Sequence, residues 1–252
     1  TQNRWELKPH ALKPFYRNLA DWCIFLTNPA TYGWKDNVGV TPPIHLHIDH
    51  IELTDEQRTA AQTLTGKLLT TNIGGISERG KLSQIAKGKG GMATLKPAFI
   101  RALVDSWPDE STIIWCHYNE EQQAMEKTFP EAVSVSGDTP ENVRQQMIDD
   151  FKSGAVKVLI TKPKILGFGI NLQVCTRQIF SGLKDSYEEF YQAVKRSNRI
   201  GSTKPLNVHI PVTELEVPFV ENVLHKADRV ESDTKQQEEL FKEIGHACIS
   251  RR

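Results

Sequence analysis

The sequence predicts an α/β fold, a parallel sheet with helices on both faces, preceded by an irregular, aromatic-rich N-terminal extension. Three observations predict it. Short apolar runs at residues 112–118, 156–160 and 206–212 alternate with helical patterns of ten or more residues. Some of these runs are apolar throughout, as strands covered on both faces are. Glycines and a hydroxyl follow one of them directly, where an open α/β sheet binds ligands at the carboxyl ends of its strands.

Composition sets the limits. With 252 residues, 38% hydrophobic and 25% charged, the chain has the balance of a globular protein able to hold one large domain or a domain with an appendage. The formal net charge is +0, so any nucleic-acid binding has to come from local patches rather than a global basic field. Cys23, Cys116, Cys175 and Cys248 are scattered and form no C-x-x-C pair, which argues against a disulfide framework or zinc knuckle and for a reducing cytoplasmic setting. A bacterial or viral origin is favoured, with the nucleus as the setting if the source is eukaryotic. Neither a bilayer-spanning apolar run nor a signal peptide is present, so no membrane partner is expected. The chain begins with Thr1 rather than Met, which points to an excised fragment or processed product.

Along the chain, residues 1–43 are aromatic and irregular, with Trp5, Phe15, Tyr16, Trp22, Phe25, Tyr32 and Trp34 set among Pro and Gly. A short helix is expected near 13–22, and so many aromatics in a loop-rich segment suggest that it packs onto something. Residues 44–53 alternate well enough for one strand. Thr54-Asp55-Glu56-Gln57 then supplies an N-cap and an acidic first turn for a helix to about Leu69. Residues 71–91 are rich in glycine and basic side chains and read as a flexible loop with at most one helical turn. A helix is expected over 96–107, a buried strand over 112–118, and a helix over 120–129 capped by Asn119. Residues 133–136 read as a short strand, and Thr139-Pro140-Glu141 opens a helix to Phe151 with Pro at its first position. Residues 156–160 form a continuous apolar strand, 178–183 a weaker one and 206–212 another. After Pro218, the spacing of Val220, Val223, Leu224, Ala227 and Val230 predicts an amphipathic helix, and a second helical run ends near Gly245.

Three short motifs in the first third have plainer readings. Gly75-Ile76-Ser77-Glu78-Arg79-Gly80-Lys81-Leu82 nearly spells the phosphate-binding G-x-x-x-x-G-K-[ST], but lacks the final hydroxyl and a preceding apolar strand. Asp55-Glu56-Gln57-Arg58 imitates a D-E-x-x box, yet helix capping explains both acids. His45-Leu46-His47-Ile48-Asp49-His50 spells the H-x-H-x-D-H signature of dizinc hydrolases, whose imidazoles and carboxylate hold two zincs that activate a water. Here Ile51-Glu52-Leu53 continues the strand, so histidines on a half-exposed edge strand are the simpler reading, and no metal site is assigned.

The stretch that carries most chemistry is residues 187–201. Tyr187, Phe190, Tyr191 and Val194 recur at helical spacing, while Gln192, Arg196 and Arg199 fall at i, i+4 and i+7 and are expected to share another face. Two guanidiniums and an amide aimed one way make an anion clamp, because each guanidinium offers a planar fork of donors to phosphate oxygens. Earlier, Thr161-Lys162-Pro163-Lys164-Ile165-Leu166-Gly167-Phe168-Gly169-Ile170-Asn171-Leu172 places a hydroxyl and glycines after a buried strand, where backbone can approach a phosphate closely.

These two stretches, in this order and at this distance, resemble motifs V and VI of the Swi/Snf-type branch of superfamily 2 helicases. Residues 113–119 are similar to the strand that opens the second motor lobe, and Val135-Ser136-Gly137 with residues 144–151 to the block that follows. The resemblance covers residues 95–230. It departs from the family pattern at Lys164-Ile165, at Lys195 and at Ser202.

The resemblance implies a RecA-like second lobe of a DNA-dependent ATPase that sandwiches ATP and Mg with a first lobe carrying the P-loop. Arg199 would then be the arginine finger on the transferring γ-phosphate, Arg196 a second phosphate or interlobe contact and Gln192 a polar coupler. Gly167, Gly169 and Asn171 would line the nucleotide cleft. Ser136, Gly137, Thr161 and Lys162 would contact the phosphate backbone of DNA. The expected division is 1–94 as interlobe linker and extension, 95–214 as the lobe, and 215–252 as a helical extension. Without a P-loop the isolated chain is expected to be inactive as an ATPase. The alternatives are a dizinc metallohydrolase built on His45, His47, Asp49 and His50, and a non-catalytic DNA-binding module.

Overall fold

The computed structural model describes residues 8–23, 35, 41–66, 76–166 and 170–249. They fall into two compact units, Thr41–Leu224 and Thr1–Val40 with His225–Arg252. In the smaller unit, helix α1 (Pro9–Ala20) starts earlier than its apolar pattern suggests, because Pro9 sits in the first turn where a missing N–H costs nothing. Phe15 and Tyr16 meet edge to face at 5.3 Å, while Trp22 is 75% exposed. Trp5, Phe25, Tyr32 and Trp34 lie outside the described residues.

The larger unit is built on six parallel strands in the order β1-β6-β5-β2-β4-β3. In chain order these are β1 (Ile44–His50), β2 (Thr112–Trp115), β3 (Val133–Ser134), β4 (Val158–Thr161), β5 (Arg177–Phe180) and β6 (Leu206–Val212). All the pairs are parallel, and β1 runs beside β6 in register from Ile44↔Leu206 to His50↔Val212. The expected division between residues 94 and 95 therefore falls inside this unit, since β1 completes the sheet.

Strand alternation sends residues to two cores. Ile113, Trp115, Leu159 and Phe180 face one layer, with α6 (Glu141–Ser153), α7 (Tyr187–Val194) and the first turns of α8 (Val217–Ile249) supplying Ile148, Phe151, Ala193, Val194, Val220 and Val223. Ile114, Cys116, Val158, Ile160 and Ile179 face the other, covered by Ile100 and Val104 of α4 (Lys96–Ser106) and by Met125 and, just beyond its end, Phe129 of α5 (Asn119–Thr128). This is the covered parallel sheet that continuous apolar strands require.

Several elements differ from expectation for identifiable reasons. Residues expected as a loop form α3 (Ile76–Ala86), because Leu82 and Ala86 bury together against Ala61 of α2 (Asp55–Thr65) and against Leu53 and Leu215. The Gln57 amide donates to the Ile85 and Ala86 carbonyls at its end, at 2.9 and 3.2 Å. The near-P-loop is thus mostly helix; its Gly75 lies outside the described residues. Thr54 caps α2 as expected, in a capping box with Gln57, which accounts for the D-E-x-x likeness. Asn119 is the first residue of α5 rather than its cap. The Glu121 carboxylate accepts from the backbone N–H groups of His117 and Tyr118 at 2.6 and 3.0 Å, while Asn119 receives Lys162. Pro140 precedes the first turn of α6, and the two expected C-terminal helical runs are one helix, α8.

Candidate functional site

The carboxyl ends of β2, β3, β4 and β5 carry the residues the sequence singled out. After β3, the Ser136–Thr139 turn is closed by Ser136 N–H donating to Thr139 Oγ1 at 2.9 Å, and the Arg144 guanidinium donates to Thr139 O at 3.1 Å. Gly137 is exposed with open space around it. After β4, Lys162 is half-buried with its ammonium on Asn119 Oδ1, and Lys164 is exposed. Thr161 differs from expectation. It is fully buried and its hydroxyl donates to Val135 O at 3.0 Å, so it braces the segment before Ser136 instead of facing a ligand. Gly167 and Gly169 lie outside the described residues.

Ser186 opens α7 by accepting from Glu189 N–H at 3.2 Å, and the helix ends at Val194. Gln192, Arg196 and Arg199 therefore do not share one helix face. Gln192 lies on α7 and donates to Glu188 Oε1 at 3.1 Å; the two arginines follow in turns. The side chain of Gln178, buried on β5, stops the helix: its amide donates to Ala193 O at 3.2 Å and Ser197 Oγ at 2.7 Å, and accepts from the Trp115 indole N–H at 3.0 Å. On the other side Asn198 donates to Pro42 O at 2.8 Å and accepts from Lys195.

The turns are strapped to the segment after β4. Leu172 N–H donates to Arg196 O at 2.9 Å, and the Gln173 amide donates to Ile200 O at 2.5 Å. The exposed Arg199 guanidinium donates to Asn171 Oδ1 at 2.5 Å, so two residues predicted separately for the cleft are brought together. Arg196 is half-buried beside a cavity of about 170 Å³ lined by Trp115, Pro163, Lys164, Leu166 and Gln192. Burial, then the neighbouring Arg199, lowers the pKa of its guanidinium, so an anion placed here would relieve both charges. Amide and guanidinium donors around a partly enclosed space are chemically fitted to phosphate oxygens.

His117 falls within the strand that the sequence predicts over 112–118, but lies just beyond the end of β2. It is buried, has no hydrogen-bond partner for either ring nitrogen among the described residues, and faces Glu189 at 3.6 Å. Desolvation, then Lys87 and Lys184, hold its pKa well below the usual imidazole value, so it is neutral at pH 7. The expected alternative of a dizinc centre fails on geometry. Alternation along β1 puts His45, His47 and Asp49 on one side and His50 on the other, so the four do not face one point. His47 stacks on His209 with centroids 4.4 Å apart, and Asp49 pairs with His209 at 3.2 Å. Among the described residues no three ligating side chains converge.

Residues 95–201 match the model of the helicase conserved C-terminal domain. The chain is 30% identical over 168 residues to the ATP-dependent helicase fft1 of Schizosaccharomyces pombe, covering 63% of this chain and 18% of that protein. It is 34% identical over 114 residues to the Zorya protein ZorD of Escherichia coli O139:H28, covering 42% and 10%. The chain thus spans less than a fifth of the length of either relative. Among solved structures it is similar to the C-terminal part of the Fun30 ATPase domain, with a TM-score of 0.56 at 17% identity over 81% of this chain and 98% of that one. No helix among the described residues is long and apolar enough to cross a membrane.

Proposed function

We propose that this chain carries the C-terminal RecA-like lobe of a Swi/Snf-type superfamily 2 helicase and completes the ATP site of a DNA helicase or duplex translocase, a reading supported by the helicase-domain match and by the likeness to fft1. ATP and Mg are held mainly by a first RecA-like lobe with the P-loop, which this chain does not supply, and the chain alone does not turn over ATP. Arg199 acts as the finger on the γ-phosphate, where charge spreads over the equatorial oxygens as the bond to the leaving group breaks. Arg196 adds a second donor from its half-buried position, and Gln192 couples the cavity to α7. Asn171 borders the cleft.

The observation that carries this reading is the joined placement of Arg199 on Asn171 and of Arg196 on Leu172, which presents both guanidiniums from one braced segment. DNA is held through its phosphates by Ser136, Gly137 and Lys162 at the neighbouring strand ends, with Thr161 bracing them from below. Because the chain has no net charge and only Lys162 of these residues is cationic, that contact is local and its salt dependence is shallow.

The test is Arg199→Ala in the ATPase containing both lobes. ATP turnover falls by ~10³-fold or more if Arg199 is the finger, with DNA affinity retained. Turnover within a few fold of the parent sinks the finger assignment.

A further inference from the structure

We propose that Lys87, Lys96 and Glu216 form a buried ionic pin that sets the position of residues 181–184 and, through them, of α7 and the arginine-bearing turns. Lys87 and Glu216 lie outside the stretch that matches the helicase domain, so the pin assigns a working role to the flanking segments. Its link to catalysis rests on the reading of Arg196 and Arg199 above.

Four segments meet at the pin. Lys87 follows α3, Lys96 opens α4, Glu216 lies in the turn between β6 and α8, and residues 181–184 leave β5 for α7. The three charged side chains are 0–2% exposed. One carboxylate serves both ammoniums: Glu216 Oε2 accepts from Lys96 Nζ at 2.5 Å and from Thr213 N and Oγ1 at 3.2 and 3.0 Å, while Oε1 stands 3.0 Å from Lys87 Nζ.

Each lysine spends its remaining donors mostly on the connection from β5 to α7. Lys96 donates to Ser181 O at 2.5 Å, Lys87 to Leu183 O at 3.2 Å and to Ser83 Oγ at 2.7 Å. Ser181 Oγ donates to Glu121, whose other oxygen holds the backbone after β2. Between the two held carbonyls lies Gly182, where an added Cβ would stand 2.3 Å from Glu216 Oε1 and 2.4 Å from Lys87 Cε.

A connection of this length could be buried by apolar contacts alone, but such contacts do not fix where its carbonyls point. Two ammoniums fixed by one carboxylate do, because each must direct a donor at a carbonyl to remain solvated inside the protein. Three residues beyond Leu183 the chain reaches Ser186, the cap of α7, so little slack separates the pin from the helix.

The experiment replaces the whole pin with apolar side chains of similar size, Lys87→Met, Lys96→Met and Glu216→Leu together, because removing one charge alone strands the others and risks the fold. Such replacements of buried ion groups commonly leave stability unchanged or raised. Amide exchange is followed on this chain, and steady-state turnover on the ATPase containing both lobes. The expected result is a folded protein in which amides 182–192 exchange at least tenfold faster while those of β2 and β4 do not change, and in which kcat falls about tenfold with the KM for ATP kept.

Unchanged exchange at 182–192 in the folded variant overturns the pin, whatever the turnover. Faster exchange with unchanged turnover supports the pin and removes the arginine reading instead. If the triple variant does not fold, Gly182→Ala, which crowds the pin and keeps all three charges, is measured in its place, and unchanged exchange at 182–192 overturns the proposal.

Discussion

Replacing Gln178 with leucine tests what ends α7. In the native protein this buried amide accepts from the Trp115 indole and donates to Ala193 O and Ser197 Oγ, with no exposed atoms. Leucine fills nearly the same space, so the transfer of apolar atoms changes little and the effect comes from the groups left behind. A buried polar group deprived of its partner costs about 1–3 kcal/mol, and here the indole N–H and the Ser197 hydroxyl both lose one. Local relaxation returns part of this, so Gln178→Leu is expected to destabilise the lobe by about 2–4 kcal/mol. Urea unfolding at constant m-value reads the loss. A cycle with Trp115→Phe isolates the indole contact, with a coupling energy of about 1 kcal/mol. A loss under about 0.5 kcal/mol would refute the reasoning, since surface substitutions alone reach that size. In the proposed two-lobe ATPase the same change should lower turnover, because the Ala193 and Val194 carbonyls it releases lie three and two residues before Arg196.

The other predictions concern the ionic pin and its surroundings. Gly182→Ala puts a methyl against the Glu216 carboxylate and the Lys87 stem, both locked in place, and should cost about 1–3 kcal/mol by the same urea measurement. Burial would raise the Glu216 carboxyl, but Lys96 and Lys87 outweigh it and bring its pKa from 4.5 to about 2. A depressed carboxylate stabilises above its unfolded pKa and loses that contribution as pH falls through its folded one. The stability difference between wild type and Glu216→Gln should therefore shrink steadily as pH falls from 4.5 toward 2; a difference independent of pH over that range contradicts the ion pairing.

The sheet was legible because its strands are apolar runs with clear ends: β6 spans the residues the sequence marked, and the capping box at Thr54 needs only local spacing. Helix α3 was not legible. Its buried face reduces to Leu82 and Ala86 with Ile85 beside them, while Gly80 and the basic residues weaken the helical pattern. The end of α7 was illegible for another reason. Helical spacing runs on past Val194, and the groups that stop it come from distant β5 and from Pro42. The candidate site was visible as a spacing of Gln192, Arg196 and Arg199, but its contact with Asn171 depends on the strap formed by Leu172 and Gln173. The direction of the Thr161 hydroxyl could not be read either, since alternation along a four-residue strand gives burial and not a partner.

Lys87, Lys96 and Glu216 were invisible because buried charges look like surface charges in a sequence, and Lys96 and Glu216 are 120 residues apart. Their location is the informative part. Glu121, Gln178 and the pin all act on the carboxyl-end connections of β2, β5 and β6 or on the helix those connections lead into, whereas Arg177 works at the opposite end, holding the Leu103 and Val104 carbonyls of α4 and that of Trp107 just beyond it. Apolar packing stabilises without choosing an orientation for a loop, and buried polar groups stabilise poorly but choose one. Stability and site geometry are then held by different residues of the same lobe. Apolar replacement of the complete ionic pin should leave the first nearly intact while loosening the second.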